Sequence, residues 1–422
     1  MKKPITTLLM GLTSCLLAQT PKLQISLTSH NEPTPMETYT SASVYNPVKD
    51  TLKRIVDIVH AKNAKYNMQL MPNFIQGALV HQSAATSTND IIEYAYKIGG
   101  VPGNVVEIDP RYKTTTLYNI ADVSYSINLT GAQSSSVVGG FVHFNQTGQY
   151  TAGDWTPYTS PITAQNTSTY TWKANIMWGA GSLPPHTKDA YNYGNWKPRG
   201  KSDSIDFYCH DPAQTIWLQG NGCAWVLTPT TNVNQMIADI RSEATKIVNG
   251  TYPSNKFYNG NLMINFKDFG TSTVVPTFQM PVVLSRVLDS INVLVSQGKA
   301  EFRTITQKQA AFAAWSASTG IAYSQWQCGQ TTTLAATCNM TGLEKRQKDN
   351  FVISPNPTSK SFIIKGLQNQ QHYTIEILDA MGRLFMKEEI VFLNERELSL
   401  ERFNPGLYYI RIGTTIHKIV KE

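Results

Sequence analysis

Apolar positions recur with a helical period through most of the chain, and short apolar runs with a strand period interrupt them. Val48, Leu52, Ile55, Val56 and Val59 share one helical face, and Asn46 followed by Pro47 reads as its N-cap and first turn. A strand is predicted over Asn67–Met71, helices over Phe74–Val80 and Asn89–Ile98, the latter stopped by Gly99-Gly100, and a strand over Val105–Ile108. A helix over Leu117–Leu129 and a strand over Val137–Phe144 follow. The alternation then breaks. Residues 145–200 are rich in Trp, Tyr, Thr, Asn and Gly, with one strand expected at Thr171–Trp178. Short strands at Ile205–Tyr208 and Thr215–Leu218 lead back to a helix over Val233–Val248. Its stripe of Met236, Ile237, Ile240, Ala244 and Ile247 ends at Gly250. Strand Leu262–Phe266, helix Pro276–Val295, strand Glu301–Ile305 and a helix Ala310–Ser318, capped by Thr306-x-x-Gln309, complete the body.

Strands alternating with helices predict an α/β fold with a parallel sheet. A (β/α) barrel over residues 45–325, irregular or seven-stranded, is expected over an open nucleotide-binding sheet, because no Gly-rich phosphate fingerprint follows an early strand. From Asn350 onward the period changes to two. Runs at Ser361–Lys365, Tyr373–Leu378, Arg383–Ile390, Arg396–Leu400, Leu407–Ile412 and Ile416–Val420 are separated by turn signals, which predicts a small all-β, Ig-like sandwich over residues 350–422. Residues 326–349, containing Lys345-Arg346-Gln347-Lys348, read as a linker. Residues 20–44, polar and Pro-containing, read as a tether. Lys2-Lys3 followed by an apolar run from Ile5 to Ala18 has the form of a signal peptide over residues 1–19, too short to span a bilayer. Cys15 within it leaves a lipoprotein cleavage site open.

The net charge is +7 and the charged fraction 15%, with Lys and Arg scattered. No basic stripe with interleaved aromatics exists, which argues against nucleic acid as a partner. No other apolar stretch is long enough for a transmembrane helix. Outside the leader the cysteines are Cys209, Cys223, Cys328 and Cys338. An even number in an exported chain predicts disulfides, and the local pairing Cys209–Cys223 with Cys328–Cys338 is expected from three possibilities.

Pro355-Asn356-Pro357, Asp379-x-x-Gly382, Pro405-Gly406-Leu407-Tyr408-Tyr409-Ile410 and the terminal Lys418-Ile419-Val420-Lys421 resemble, in order and spacing, the C-terminal sorting domain of type IX secretion cargo. The resemblance implies type IX secretion machinery as a partner, and release or attachment at the cell surface. In the body, Val106-Glu107-Ile108-Asp109-Pro110, Tyr118–Val123 and Val137-Val138-Gly139-Gly140-Phe141 resemble polysaccharide deacetylase-like barrels. That resemblance implies zinc or another divalent metal and an attack on a carbohydrate amide or ester. Asp109 would be ligand or base, and His143 and His210, each closing a strand, the remaining ligands. The two histidines such barrels place after Asp-Pro are replaced here by Arg111 and Lys113, and cations do not ligate a cation. Glu107 and Asp109, two apart on a strand, can point to one face.

Trp155, Trp172, Trp178 and Trp196 offer flat faces for sugar rings, or large side chains to hold an irregular region together. An exported, polysaccharide-processing barrel and a catalytically silent glycan-binding or adhesive protein are both consistent with these residues.

Overall fold

The computed structural model describes residues 21–30, 39–81, 91–111, 118–144, 155–182, 193–200, 205–269, 279–330, 351–367, 372–379, 382–412 and 415–422. The leader, Lys113 and Cys338 lie outside them. The chain divides into two compact units, Met1–Cys338 and Asn339–Glu422.

The first unit opens with β1 (Leu23–His30), α1 (Ala42–Ala61), β2 (Tyr66–Leu70), α2 (Pro72–His81), α3 (Ile91–Lys97), β3 (Val106–Pro110), α4 (Ile120–Leu129) and β4 (Val137–Phe144). Short strands β5 (Ile162–Thr163) and β6 (Thr171–Trp172) precede β7 (Ile176–Ser182), β8 (Gly194–Trp196), α5 (Ile205–Tyr208), β9 (Trp217–Gly220) and β10 (Cys223–Val226). The unit ends with α6 (Val233–Val248), β11 (Tyr258–Asn265), α7 (Met280–Ser296), β12 (Ala300–Phe302) and α8 (Ile305–Thr319).

Strands β10-β11-β1-β2-β3 form a parallel sheet. Strand β1 pairs with β11 along its whole length. On its other edge the first half pairs with β12 and the second half with β2. A second sheet runs β4-β7-β9-β8, parallel except for β8. Two parallel bridges, Ile108↔Ser134 and Arg111↔Gly139, link β3 to the β4 segment. Only Asn221 and Gly222 separate β9 from β10.

Alternation assigns the two faces of the first sheet. Leu23, Ile25, Leu27, Tyr66, Met68, Val106, Ile108 and Leu262 join Leu52, Ile55 and Val59 of α1 and Leu284, Val287 and Ile291 of α7 in one core. Each such side chain, fully buried, contributes roughly 1.5–3 kcal/mol. The opposite face carries Gln24, Ser26, Thr28, Asn67, Gln69, Glu107, Asp109, Asn259 and Asn261, all buried. A buried polar face is costly unless each group finds a partner.

Several expectations need correction. The stretch read as a tether contains β1, the central strand of the sheet. Its every-other-residue polarity looks like coil in composition, yet both faces of the strand are covered. The N-cap of α1 is Ser41, and Pro47 lies inside the helix. Residues 205–208 are helical rather than extended. The capping box of α8 is Thr304 with Gln307, two residues earlier than expected. Trp326 and Cys328, assigned to the linker, belong to the body: Trp326 is buried against Tyr252 and Tyr258.

The cysteines pair across distance rather than locally. Cys223 on β10 is bonded to Cys328, 105 residues away, and Cys209 is itself in a disulfide. The local pairing is therefore excluded, because packing of the α8 exit against β10 and β11 brings Cys328 to Cys223.

The second unit contains β13 (Val352–Ser354), β14 (Ser361–Lys365), β15 (His372–Asp379), β16 (Leu384–Val391), β17 (Glu395–Ser399), β18 (Gly406–Ile412) and β19 (Thr415–Lys421). Antiparallel sheets β13-β14-β17 and β16-β15-β18-β19 share one apolar core of Phe362, Ile364, Ile375, Ile377, Leu398, Ile410, Ile412 and Ile419. Six of these strands fall within one residue or so of the predicted runs. No helix among the described residues is long and apolar enough to cross a membrane.

Candidate functional site

Glu107 and Asp109 lie on one face of β3, as a period of two requires, and both are buried. They share one amide: Asn67 Nδ2 donates to Glu107 Oε1 at 2.8 Å and to Asp109 Oδ2 at 2.9 Å. The remaining partners differ in kind. Glu107 meets the N-terminus of α8. Thr304 Oγ1 donates to its Oε2 at 2.8 Å, and the Thr306 amide donates to its Oε1 at 3.3 Å. The Ile305 amide donates to Asn67 Oδ1 at 2.9 Å. A carboxylate at the first turn of a 15-residue helix complements the positive end of its dipole. Asp109 lies one step further along β3. Its Oδ1 accepts from Ser135 Oγ at 2.6 Å, and its Oδ2 accepts from Gln69 Nε2 at 3.4 Å.

Burial raises the pKa of both carboxyls, but the balance separates them. At Glu107 the donors Thr304, Thr306 and Asn67 oppose desolvation. At Asp109 the charge of Glu107 adds to desolvation and holds the pKa well above the ordinary value. Two neighbouring buried carboxyls do not both ionise readily. The helix terminus favours the anion at Glu107, so of the two carboxyls Asp109 is the one pushed further toward the protonated form.

Strand register sets the surroundings of Asp109. His30↔Gln69 and Gln69↔Asp109 are partners, so an imidazole, an amide and a carboxyl stand abreast at the C-terminal ends of β1, β2 and β3. The spacing of adjacent strands, about 4.8 Å, separates the Cα atoms of His30 and Asp109 by roughly 10 Å. The His30 ring meets Trp178 of β7 edge-on, centroids 5.7 Å apart. Trp178 Nε1, Gln69 Oε1, Asn261 Oδ1 and Asn265 Oδ1 are buried and lack a hydrogen-bond partner among the described residues. Arg111 is buried one step beyond Asp109, and a Cβ at Gly140 (φ +65°) would run into its guanidinium. Deeper in, Lys308 of α8 is buried with Nζ 3.0 Å from the Gly260 carbonyl oxygen, and burial lowers its pKa to about 7.

The candidate metal set does not assemble among the described residues. His210 Nδ1 accepts the Lys197 amide at 3.1 Å, and its ring stacks on Tyr323. His143 closes β4, but its side chain lies outside the described residues. Asp109 already receives three side-chain donors, and Arg111 follows on the same face. Among the described residues the one cluster with metal-ligand spacing is Cys223, Glu243 and Cys328, and its two sulfurs are joined in a disulfide. The donor set around Asp109 thus does not fit a zinc ion.

Three of the four singled-out tryptophans are packing residues. Trp155, Trp172 and Trp196 are buried in the second apolar cluster, and each indole N–H donates to a backbone carbonyl, of Gly200, Ser135 and Phe207 respectively. Trp178 is equally buried, packed with Val137, Ile176 and Ile305, and meets the His30 ring edge-on. His30, Asn67, Gln69 and Thr304 escape a sequence reading because their meaning depends on register. The alternation of Leu23–His30 was the available signal for the first.

In the second unit the motif residues stitch the two ends of the domain together. Asn356 Nδ2 donates to the Lys418 carbonyl at 2.8 Å, and its Oδ1 accepts the Val420 amide at 3.0 Å. Pro355 and Pro357 flank it. The Thr358 amide donates to Val420, and Lys421 Nζ donates to the Ser359 carbonyl. Asp379 accepts from Arg383 Nε at 2.6 Å and from the Arg383 amide at 2.9 Å, across a turn in which Gly382 has φ +78°. Gly406 opens β18, whose Tyr408 donates its hydroxyl to the Asn404 carbonyl at 2.9 Å.

Residues 352–422 match the family model of the secretion system C-terminal sorting domain. The tail is a type IX sorting domain, which supports export followed by secretion or attachment to the cell surface, and engagement with the type IX machinery. No curated protein matches the chain. A crystal structure of an engineered protein aligns over 96% of this chain and 93% of its own at 9% identity, with a TM-score of 0.22, too slight a likeness to bear on the fold.

Proposed function

We propose that the body delivered by this tail is a carbohydrate-directed hydrolase that works where β1, β2 and β3 end. The two parallel sheets curve into a (β/α) barrel, an arrangement supported by the β3–β4 bridges and by the short step from β9 to β10. Sites in such barrels form at the C-terminal ends of strands. The observation that carries the reading is the register that sets Asp109, a buried carboxyl whose pKa burial and Glu107 raise, abreast of His30. Asp109 delivers a proton to the departing oxygen or nitrogen of the substrate, and His30 takes one from the attacking water. Unfilled acceptors on Gln69, Asn261 and Asn265 suit a ligand rich in hydroxyl donors, and Trp178 supplies a ring and an N–H. No step passes through a metal.

The test is a turnover screen of the purified protein on polysaccharides, aryl glycosides and acetylated sugars. Asp109→Asn is expected to lower turnover at least about 100-fold, in the range set by loss of a general acid. Unchanged turnover removes the reading. A second reading is non-catalytic glycan binding, favoured by the three donors that already occupy the Asp109 oxygens. It is supported instead if glycan binding is measurable, no product forms, and Asp109→Asn leaves affinity unchanged.

A further inference from the structure

A cavity opens at the opposite end of the strands from Asp109, where β1, β11 and β12 begin. It encloses about 130 Å³ between the start of β1, residues 256–258, Arg303 and the middle of α8. Three cations line it: Lys22, Lys256 and Arg303. One carboxylate answers them. Glu301 Oε2 pairs with Lys22 at 2.7 Å and its Oε1 with Arg303 at 2.6 Å, while Arg303 Nε donates to Gln24 Oε1 at 2.7 Å. Burial opposes the charge on Glu301, and the two cations overcome it and hold its pKa below the usual carboxylate value.

Lys256 has no ion-pair or hydrogen-bond partner among the described residues, and burial pulls its pKa down. A half-buried ammonium is unfavourable unless a negative charge accompanies it. The rest of the lining is aromatic and small. Trp315 stands 5.9 Å from Phe257, ring to ring, and Ala311 and Ala314 keep the α8 side of the cavity low. Cations alone would suit any anion. Cations set beside a half-exposed indole suit an anion carried on a ring.

We propose that this cavity is a second binding site, separate from Asp109, for a small ring-bearing carboxylate of the hexuronate type. The carboxylate sits between Lys256 and Arg303, and the ring lies against Trp315. At the N-terminal ends of the strands the cavity is placed to hold an acidic residue without taking part in bond cleavage, so it does not depend on the body being a hydrolase.

The experiment is calorimetric titration of the purified protein with galacturonate, with glucose as a neutral ring and inorganic phosphate as an anion without one. Galacturonate is expected to bind at least about tenfold tighter than either. Lys256→Met and Trp315→Ala should each weaken it by about tenfold or more, with tryptophan fluorescence confirming the fold. Asp109→Asn should leave it unchanged, which separates this site from the proposed reaction centre. The proposal is overturned if galacturonate does not bind, if phosphate binds equally well and Trp315→Ala has no effect, or if glucose competes on equal terms.

Discussion

Replacing each buried carboxyl by its isosteric amide distinguishes the one that holds the proton. In Asp109→Asn the amide oxygen can accept from Asn67 and Gln69, and its NH2 can donate to Ser135 Oγ once that hydroxyl turns from donor to acceptor, as a protonated Asp109 would also require. In Glu107→Gln every neighbour is a donor: Thr304 Oγ1, the Thr306 amide and Asn67 Nδ2. The new NH2 group then confronts a donor, and a charge-assisted interaction with the helix terminus is lost, at about 2–3 kcal/mol across the pH range. The Asp109 pKa is raised in the folded state, so the folded protein binds the extra proton and stability falls as pH rises through that window. The loss approaches 1.4 kcal/mol per pH unit, roughly, until the folded pKa is passed. Asp109→Asn should therefore match the wild type in acid, exceed it near neutrality and flatten the slope. The assay is urea unfolding across a pH series that begins in the ordinary carboxylate range and runs upward. All eight tryptophans fall between positions 155 and 326, so indole fluorescence reports the body without the tail. Equal destabilisation by both amides, or an unaltered slope in Asp109→Asn, would refute the assignment.

Other consequences are open to measurement. Lys308 has its pKa lowered to about 7, so the folded state binds fewer protons than the unfolded chain above that value and gains stability as pH rises toward about 10; Lys308→Met should remove that rise in the same unfolding series. Non-reducing peptide mapping should recover a Cys223–Cys328 peptide, and Cys328→Ser should lower body stability by about 4–5 kcal/mol in the loop-entropy account of a 105-residue closure. Asn356→Ala removes both side-chain bonds to β19 and should cost the tail about 1–3 kcal/mol, seen as faster proteolysis of residues 350–422 and less protein outside the cell. Truncation after Lys348 should abolish export while the body retains its fluorescence-detected transition.

The division into an α/β body and a β tail was legible because each depends on local periodicity. A helical stripe such as Met236 to Ile247, or the alternation of Tyr373 to Leu378, is written in consecutive residues. The tail motifs were legible for the same reason: a turn such as Asp379 to Arg383 is closed within five positions. That Glu107 and Asp109 share a face also follows from a strand period of two. The tryptophans show the limit. Trp172 and Trp178 are close in sequence, yet one donates to the Ser135 carbonyl inside an apolar cluster and the other faces His30.

Sequence alone therefore determined most helices of the body, the export tail and the shared face of Glu107 and Asp109 on β3. The tertiary structure decided that a seemingly loose N-terminal stretch is the central strand, that His30 and Gln69 stand beside Asp109, that α8 presents its first turn to Glu107, and that Cys223 joins Cys328. The reason is physical. Backbone geometry repeats over a few residues and leaves its period in the chain, whereas register between strands and pairing over 105 residues are chosen by which apolar faces bury together and which buried polar groups find partners.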